Sequence, residues 1–435
     1  MQPVAIGLLG LGTVGAEVAR LVEDREGAFS RRVGREVLLR RVAVRDPLKS
    51  RMICMPVDRL STDPVVVASD PEVDVVVELM GGIEPARSAL LAALGAGKHV
   101  VTANKALLAE HGAEIFAAAR RYGRAVAFEG AVGGGIPIIQ AIGVGLAANR
   151  FTSMAAILNG TCNFILSSMT RSGLSYAEAL RQAQALGYAE ADPTLDVDGT
   201  DTAHKLAILA QLAFGASVTT DLIPRQGIDT LQSADIRYAA ELGYSVKLLA
   251  VARDHGEAGL ELRVAPRLVR RGSPLAEVSG PDNAIRTVGM PVGSTLISGQ
   301  GAGPGPTASA VLGDLIDVIV GRAALTARTL DLWPESAPAP RLCSPRDVRG
   351  RAYLRFSIAD RPGVLGSIAQ VLGRNGVSIA SVIQHDPGED DQPDAPVPLV
   401  MMTHAASEAD LDAAMEAIDR LLVVSPPSVR LGVED

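Results

Sequence analysis

Six residues, Gly10-Leu11-Gly12-Thr13-Val14-Gly15, constrain the fold of this chain more than any others. They follow the apolar run Val4–Leu9, which reads as a buried strand. They open Thr13–Val22, where apolar positions recur at helical spacing. G-x-G-x-x-G between a strand and a helix is a phosphate-binding turn. Gly10 permits the tight turn, Gly12 lets a pyrophosphate approach the backbone, and Gly15 lets helix and strand pack closely. The positive end of the helix faces the diphosphate. The motif therefore predicts a dinucleotide-binding α/β domain with Gly10, Gly12, Thr13, Val14 and Gly15 at the cofactor.

The segments that follow fit such a domain. Val37–Val44, Val65–Val67, Val73–Leu79, His99–Thr102 and Ala125–Phe128 read as strands, with helices from Pro85 to Gly95 and over Glu110–Arg121. This alternation predicts a doubly wound parallel sheet with helices on both faces. From Phe151 longer helices, including Tyr176–Leu186 and Thr202–Phe214, mix with strands. Pro334, Pro338, Pro340 and Pro345 then mark a linker. Beyond it come a strand at Leu354–Ile358, a turn at Asp360–Gly363 and a helix over Val364–Asn375 that Gly376 stops. Val377–Gln384 and Val397–His404 are strands around the acidic loop Glu389-Asp390-Asp391. Ser407 caps a helix to Leu422, and Val429–Val433 is the last strand. The order βαββαβ is that of a ferredoxin-like module.

Composition removes several classes of function. The 435 residues carry 41 basic and 49 acidic side chains, a net charge of −8, which argues against a protein that works by neutralising nucleic-acid phosphates. Cys54, Cys162 and Cys343 are too far apart for a disulfide framework or a CxxC site, so a reducing, cytoplasmic setting fits. The uncharged stretch Gly130–Asn149 is interrupted by Gly133-Gly134-Gly135, Pro137 and Gln140, unlike a lipid-facing helix. Val4–Leu11 lacks the basic residue that precedes the apolar core of a signal peptide. No membrane partner is expected.

Four stretches carry chemistry. Arg45-Asp46, with Lys49 and Arg51 behind, closes the second strand. The acid suits a free ribose hydroxyl and the cations a 2′-phosphate, and the balance favours NADP over NAD. Lys105, after Thr102-Ala103-Asn104, stands at the sheet edge where ligands of open α/β sheets bind, and is either a site group or a solvated cation. In the acidic segment Glu190–Asp201, Val197 occupies the position where a calcium loop counted from Asp192 needs glycine. The segment instead leads into a helix on which Asp201 and Lys205 are four apart and share a face. Leu206, Ile208 and Leu209 place the Lys205 stem among apolar groups, where burial favours the neutral amine and suits proton transfer. The plainer alternative is a surface salt bridge. Glu129, before Gly130–Gly135, is either part of a tight turn or one ligand of a hard cation. His99, His111, His204, His255, His385 and His404 show no metal-ligand spacing.

Taken together and in order, Gly10–Gly15, Val101–Lys105, Glu129–Ile139, Asn159–Asn163, Leu186–Leu209 and Gly299–Asp314 resemble the homoserine dehydrogenases over nearly the whole chain. The form resembled ends in an ACT domain, and the N-terminus starts at the first strand, without the kinase half of bifunctional relatives. Gly130 stands where the family pattern has alanine. The resemblance implies NAD(P)-dependent interconversion of L-aspartate 4-semialdehyde and L-homoserine, on the way to threonine, isoleucine and methionine. It implies an NAD(P)-binding Rossmann-type domain at 1–135, completed by a helix from 305–330. A central α+β domain at 136–304 would bind substrate and dimerise, with a linker at 331–350 and an ACT domain at 351–435. By position, Lys205 resembles the acid/base, Lys105 a second catalytic or nicotinamide-proximal lysine, and Asp201 a carboxylate of the same site. Glu190, Asp196, Thr161 and Tyr188 resemble substrate-binding residues, with Glu190 on the ammonium, and Gly301 a loop that returns to the cofactor. Glu129 with the carbonyls of Val132, Gly134 and Ile136 resembles a monovalent-cation site for Na+ or K+. A homodimer or homotetramer and threonine feedback at the ACT domain are implied in the same way.

Overall fold

The computed structural model describes residues 2–24, 26–51, 53, 55–330, 332–334, 339–385 and 396–434. Cys54, Pro338 and the acidic loop 389–391 lie outside them. The chain divides into two compact units. The first comprises 1–154, 201–223 and 282–340, and the second 155–200, 224–281 and 341–435.

The first unit is built on β1 (Val4–Leu9), β2 (Val37–Ala43), β3 (Leu60–Ser61), β4 (Val75–Glu78), β5 (His99–Thr102) and β6 (Val126–Ala127). They form one sheet in the order β3-β2-β1-β4-β5-β6, parallel throughout. This is the doubly wound order, whose strand order reverses between β1 and β4 and leaves a crevice at the carboxyl ends of the strands. Helices α1 (Thr13–Val22), α2 (Ala28–Val33), α3 (Pro64–Ser69), α4 (Ala86–Gly95) and α5 (Lys105–Tyr122) make the connections. Val311, Leu315 and Val318 of the helix Pro304–Ile319 enter the same core as Leu8, Val18 and Val22.

Two elements differ from the sequence expectation. Val65–Val67 is not a strand but the middle of α3. The Asp63 carboxylate accepts the N–H of Val65 at 2.8 Å and Pro64 occupies the first turn, so a helix start overrides three β-branched residues. Helix α5 begins at Lys105 rather than Glu110, because the Asn104 side chain caps it through the N–H of Leu107 at 3.1 Å.

In the second unit, strand Tyr244–Asp254 pairs antiparallel with Leu260–Arg270, and Leu260–Arg270 pairs parallel with the C-terminal strand Val429–Glu434. Ala352–Ile358, Val397–Thr403 and Ile379–Ile383 follow in that order, all antiparallel. With helices Val364–Arg374 and Glu408–Asp419, these four C-terminal strands are the βαββαβ module, closed over Leu354, Phe356, Ile368, Leu372 and Ile418.

The two units do not follow chain order. The middle of the chain contributes to both, because the C-terminal strand joins Leu260–Arg270 and the helix Pro304–Ile319 joins the first core. The described part of the Pro-rich stretch is also anchored rather than a free linker. In the first unit Trp333 stacks on Phe116 at 4.7 Å, and Arg120 donates to the carbonyls of Leu332 and Trp333. In the second, Leu260 N–H donates to Arg341 O at 2.8 Å and Cys343 N–H to Leu260 O at 3.0 Å. Among the described residues, no helix is long and apolar enough to cross a membrane.

One buried cation in the second unit makes the fold sensitive to pH. Lys247 Nζ donates to Asn163 Oδ1 at 3.1 Å and to Val278 O at 2.5 Å, and burial pushes its ammonium down to about 8. An unfolded lysine titrates near 10.4. Between these two values the unfolded chain holds a proton that the folded one has released, so this residue adds stability as pH rises. Urea unfolding at pH 7.5 and pH 10 should show wild type gaining about 2 kcal/mol relative to Lys247→Met over that interval.

Candidate active site

The carboxyl edge of the parallel sheet gathers the first set of functional residues. Three glycines of the first turn meet three different demands. Gly10 has φ +100°, and a Cβ there would lie 2.7 Å from Leu79 O. A Cβ on Gly15 would lie 2.1 Å from Gly10 O, so helix and strand touch through it. Gly12 has an ordinary φ of −80° and nothing within 4 Å of an added Cβ, so its freedom is open space in front of the helix. That space belongs to a groove of 360 Å³ running from Gly10–Gly12 to Arg45, Asp46, Lys49 and Arg51. The residues present fit a dinucleotide: a bare backbone for the diphosphate and three cations at the ribose end. Asp46 turns its carboxylate onto its own loop, accepting Leu48 N–H at 2.8 Å, while Arg51 donates to the carbonyls of Asp46 and Lys49.

Lys105 is the first residue of α5, directly beyond β5, and a buried chain of hydrogen bonds fixes that point. Thr102 Oγ1 donates to Glu78 Oε2 at 2.6 Å and accepts Asn104 N–H at 3.0 Å, and Asn104 Nδ2 donates to Gly82 O at 2.7 Å. Glu78 also accepts the N–H groups of Met80 and Gly81, and its burial raises its pKa. The sequence reading missed this chain. Its signal was a carboxylate ending the apolar run Val75-Val76-Val77.

From this anchored start Lys105 Nζ reaches Asp201 Oδ1 at 2.7 Å, and Lys205 Nζ lies 2.6 Å from Asp201 Oδ2. One carboxylate thus bridges two ammonium groups at the sheet edge. Asp201 is buried, and so is Lys205, whose neighbours Leu206, Ile208 and Leu209 are fully buried. The Lys105 side chain is 41% exposed. Burial alone would raise the Asp201 pKa, but the charges of Lys205 and Lys105 hold the carboxyl well below the usual carboxylate range. The arrangement presents one exposed and one buried N–H donor beside an anion that stays ionised.

The second unit holds the four substrate-side candidates. Thr161 Oγ1 donates to Tyr188 O at 2.6 Å, and the Tyr188 ring packs on Phe164 at 4.8 Å. Asn159 caps the helix Gly160–Ser172 through Cys162 N–H and donates from Nδ2 to Asp196 Oδ1 at 2.7 Å. Thr161, Tyr188 and Asp196 therefore cluster at one helix start. Glu190 is exposed, with its carbonyl accepting from Gln184 Nε2 at 3.1 Å.

Glu129 is buried in the first unit. Its carboxylate accepts Ile139 N–H at 2.8 Å and Gln140 N–H at 2.9 Å, and its own N–H donates to Asp314 Oδ2 at 2.8 Å. Burial pushes the Glu129 carboxyl up to about 7 against those N–H groups, and raises the buried Asp314 as well. The carbonyl of Ile136 already accepts Ile138 N–H at 2.7 Å. A larger cavity of 580 Å³ lies behind Glu129, between Phe128, Gln140, Asp314 and Leu330, and contains neither lysine nor the glycine turn. Gly301 directly follows the second strand of the hairpin Asp282–Met290 and Gly293–Gln300, at its open end, and its backbone packs against Gly134. Asp314 and Asn283, both buried, were not singled out from the sequence.

A family model described as Homoserine dehydrogenase matches residues 137–316, one described as Homoserine dehydrogenase, NAD binding domain matches 10–129, and an ACT domain model matches 352–423. The homoserine dehydrogenase of Pseudomonas aeruginosa is 45% identical over 441 aligned positions, covering 100% of this chain and 99% of the relative. That of Neisseria gonorrhoeae is 46% identical over 437, with 100% and 99% covered. A crystal structure of a homoserine dehydrogenase from Thiobacillus denitrificans superposes with a TM-score of 0.91 at 44% identity, covering 100% of this chain and 99% of that one. A hyperthermophilic archaeal homoserine dehydrogenase in complex with NADPH superposes with a TM-score of 0.61 at 25% identity, covering 74% of this chain and 98% of that one.

The open space at Gly12 yields a test that separates binding from folding. Gly12→Val should melt within about 3 °C of wild type, since the side chain meets nothing, yet weaken NADPH binding more than about tenfold by filling the diphosphate position. Gly15→Val, which collides with Gly10 O, should fail to give a stable fold.

Proposed function

The chain belongs to the homoserine dehydrogenase family, and from that premise we propose that Lys205 is the group that moves the proton in its reaction. The enzyme is an NAD(P)-dependent oxidoreductase that interconverts L-aspartate 4-semialdehyde and L-homoserine, in the route to threonine, isoleucine and methionine. What carries the proposal is Asp201, which holds Lys105 and Lys205 on its two oxygens at the ligand-binding edge of the sheet.

When bound, the nicotinamide supplies or takes the hydride, leaving the protein to orient one carbon and manage one proton. In the reducing direction the aldehyde C=O π bond breaks as its carbon gains the hydride, and Lys205 Nζ gives a proton to the oxygen. In the oxidising direction the neutral amine takes the hydroxyl proton. Asp201, held ionised, keeps Nζ in place through both states and offsets the charge that builds on it. Lys105 is our second catalytic group, near the nicotinamide. Glu190 receives the substrate ammonium, with Asp196, Thr161 and Tyr188 as further substrate contacts. Gly10, Gly12, Thr13, Val14, Gly15 and Gly301 would hold the cofactor, with Arg45 selecting NADP through its 2′-phosphate. Glu129, with the carbonyls of Val132, Gly134 and Ile136, would bind Na+ or K+. We further propose a homodimer or homotetramer in the cytoplasm.

Lys205→Ala should lower kcat by about 10²–10⁴-fold while NADPH binding, followed by its fluorescence, stays within about twofold. Lys205→Arg should not restore turnover, because a guanidinium does not give up its proton. Near-wild-type kcat in either variant would remove Lys205 from the role.

The ACT module is a small-ligand domain, and we propose threonine as its effector. Threonine titrated into the assay of the full chain should inhibit to saturation. A flat curve for the full chain would leave the module without this ligand.

A further inference from the structure

Asn283 stands on the hairpin strand Asp282–Met290 opposite Gly299, two residues before the other strand turns into the Gly301 loop. The residue is 1% exposed, and among the described residues neither Oδ1 nor Nδ2 has a hydrogen-bond partner. A buried carboxamide with both donor and acceptor unsatisfied is costly, and a native structure that retains one calls for an explanation.

Its surroundings supply one. A Cβ on Gly301 would lie 1.9 Å from Asn283 Nδ2, so the carboxamide rests directly against the Gly301 backbone. A Cβ on Gly134 would lie 2.6 Å from the Gly301 carbonyl carbon. The Gly301 peptide is thus in close contact with both Gly134 and Asn283, and space, not φ, demands glycine there. The rest of the loop, Ala302–Gly305, is exposed. At its ends Gly135 N–H donates to Gln300 O at 3.0 Å and Thr307 N–H to Gly303 O at 3.1 Å. A peptide group carries one N–H and one C=O, the complement of what the Asn283 carboxamide offers.

We infer that Asn283 is a positioning residue that hydrogen-bonds the Gly301 loop only when that loop engages the nicotinamide cofactor. The inference rests on the proposed place of Gly301 at the cofactor. A small rotation of the Gly301 peptide, already in contact with the amide, turns its N–H toward Oδ1 or its C=O toward Nδ2. A bond absent from the free protein and present in the engaged one stabilises only the engaged state. Asn283 therefore acts through the loop and does not touch the reacting atoms.

The test uses Asn283→Leu, which fills nearly the same space and cannot hydrogen-bond, with Asn283→Ala beside it. Thermal melting of the cofactor-free protein should be at or above that of wild type for the leucine variant, since no bond is lost and an unsatisfied buried amide is removed. NADPH titrated by fluorescence should bind about fivefold to tenfold more weakly, and its stabilisation of the melt should shrink accordingly. The KM for NADPH should rise while kcat at saturating cofactor changes little. A cofactor-free melt lowered by about 5 °C or more would show that the amide is bonded before the cofactor arrives, overturning the inference. NADPH affinity within about twofold of wild type would also overturn it. Wild type that fails to bind NADPH at all would instead defeat the reading of Gly301 on which the inference stands.

Discussion

A carboxylate taken out of water survives only when its charge is matched, and Asp201 is matched twice. Lys105 comes from the first turn of α5 and Lys205 from one turn further along Asp201's own helix, and each binds a different oxygen, at 2.7 and 2.6 Å. With one nitrogen on each oxygen, the carboxylate holds both ammonium groups at the same point of the sheet edge. The Thr200–Phe214 helix is thereby tied to the carboxyl edge of the sheet. With two ammoniums to one carboxylate the cluster keeps a net positive charge, the sign needed beside an oxygen that gains negative charge as hydride arrives. Exposure then divides the labour. The half-exposed Lys105 can meet an incoming ligand, and the buried Lys205, the proposed proton carrier, stands where water competes poorly.

How much of this could be read from the sequence depended on whether the signal was local. The glycine turn, Thr13–Val22 and His99–Thr102 came through unchanged, because period and punctuation are written in adjacent residues. The i,i+4 pair Asp201 and Lys205 was legible for the same reason. That Lys105 shares the same carboxylate was not, since no spacing rule links residues about a hundred positions apart. Val65–Val67 misled because β-branched residues were weighed above the Asp63-Pro64 cap beside them. Asn283 and Asp314 carried no local signal at all. Their meaning lies in what they face, the Gly301 backbone in one case and the Glu129 N–H in the other, and only folding sets those contacts.

The same limit applies within one residue type. Gly12 and Gly15 look alike in the motif, yet one is surrounded by empty space and the other is pressed against a carbonyl. In the proposed function the first is required by what binds, and the second by what folds. Gly301 belongs to a third kind, required by a neighbouring side chain that has itself no partner. A glycine count gives no access to this division, whereas the atom that a Cβ would meet does.

In the second unit the parallel pairing of the C-terminal strand with Leu260–Arg270 poses a register problem, because a slip of one residue would turn every side chain to the other face. Charge answers it. Arg267 lies across Gly432, its paired residue, with the guanidinium 3.3 Å from where a Cβ would stand. From there it reaches both Glu261 and Glu434 at 3.5 Å, and Arg253 bonds the same two carboxylates. Moved by one position, Arg267 would face Leu431 or Val433 in place of Gly432, and Glu434 would be carried out of register with Arg267 and Arg253. Removing a charge from water contributes little net stability even when it is paired. It does penalise every alternative pairing heavily. The buried ions of this strand pair therefore act on specificity of register, and through it on which face of the C-terminal module is presented.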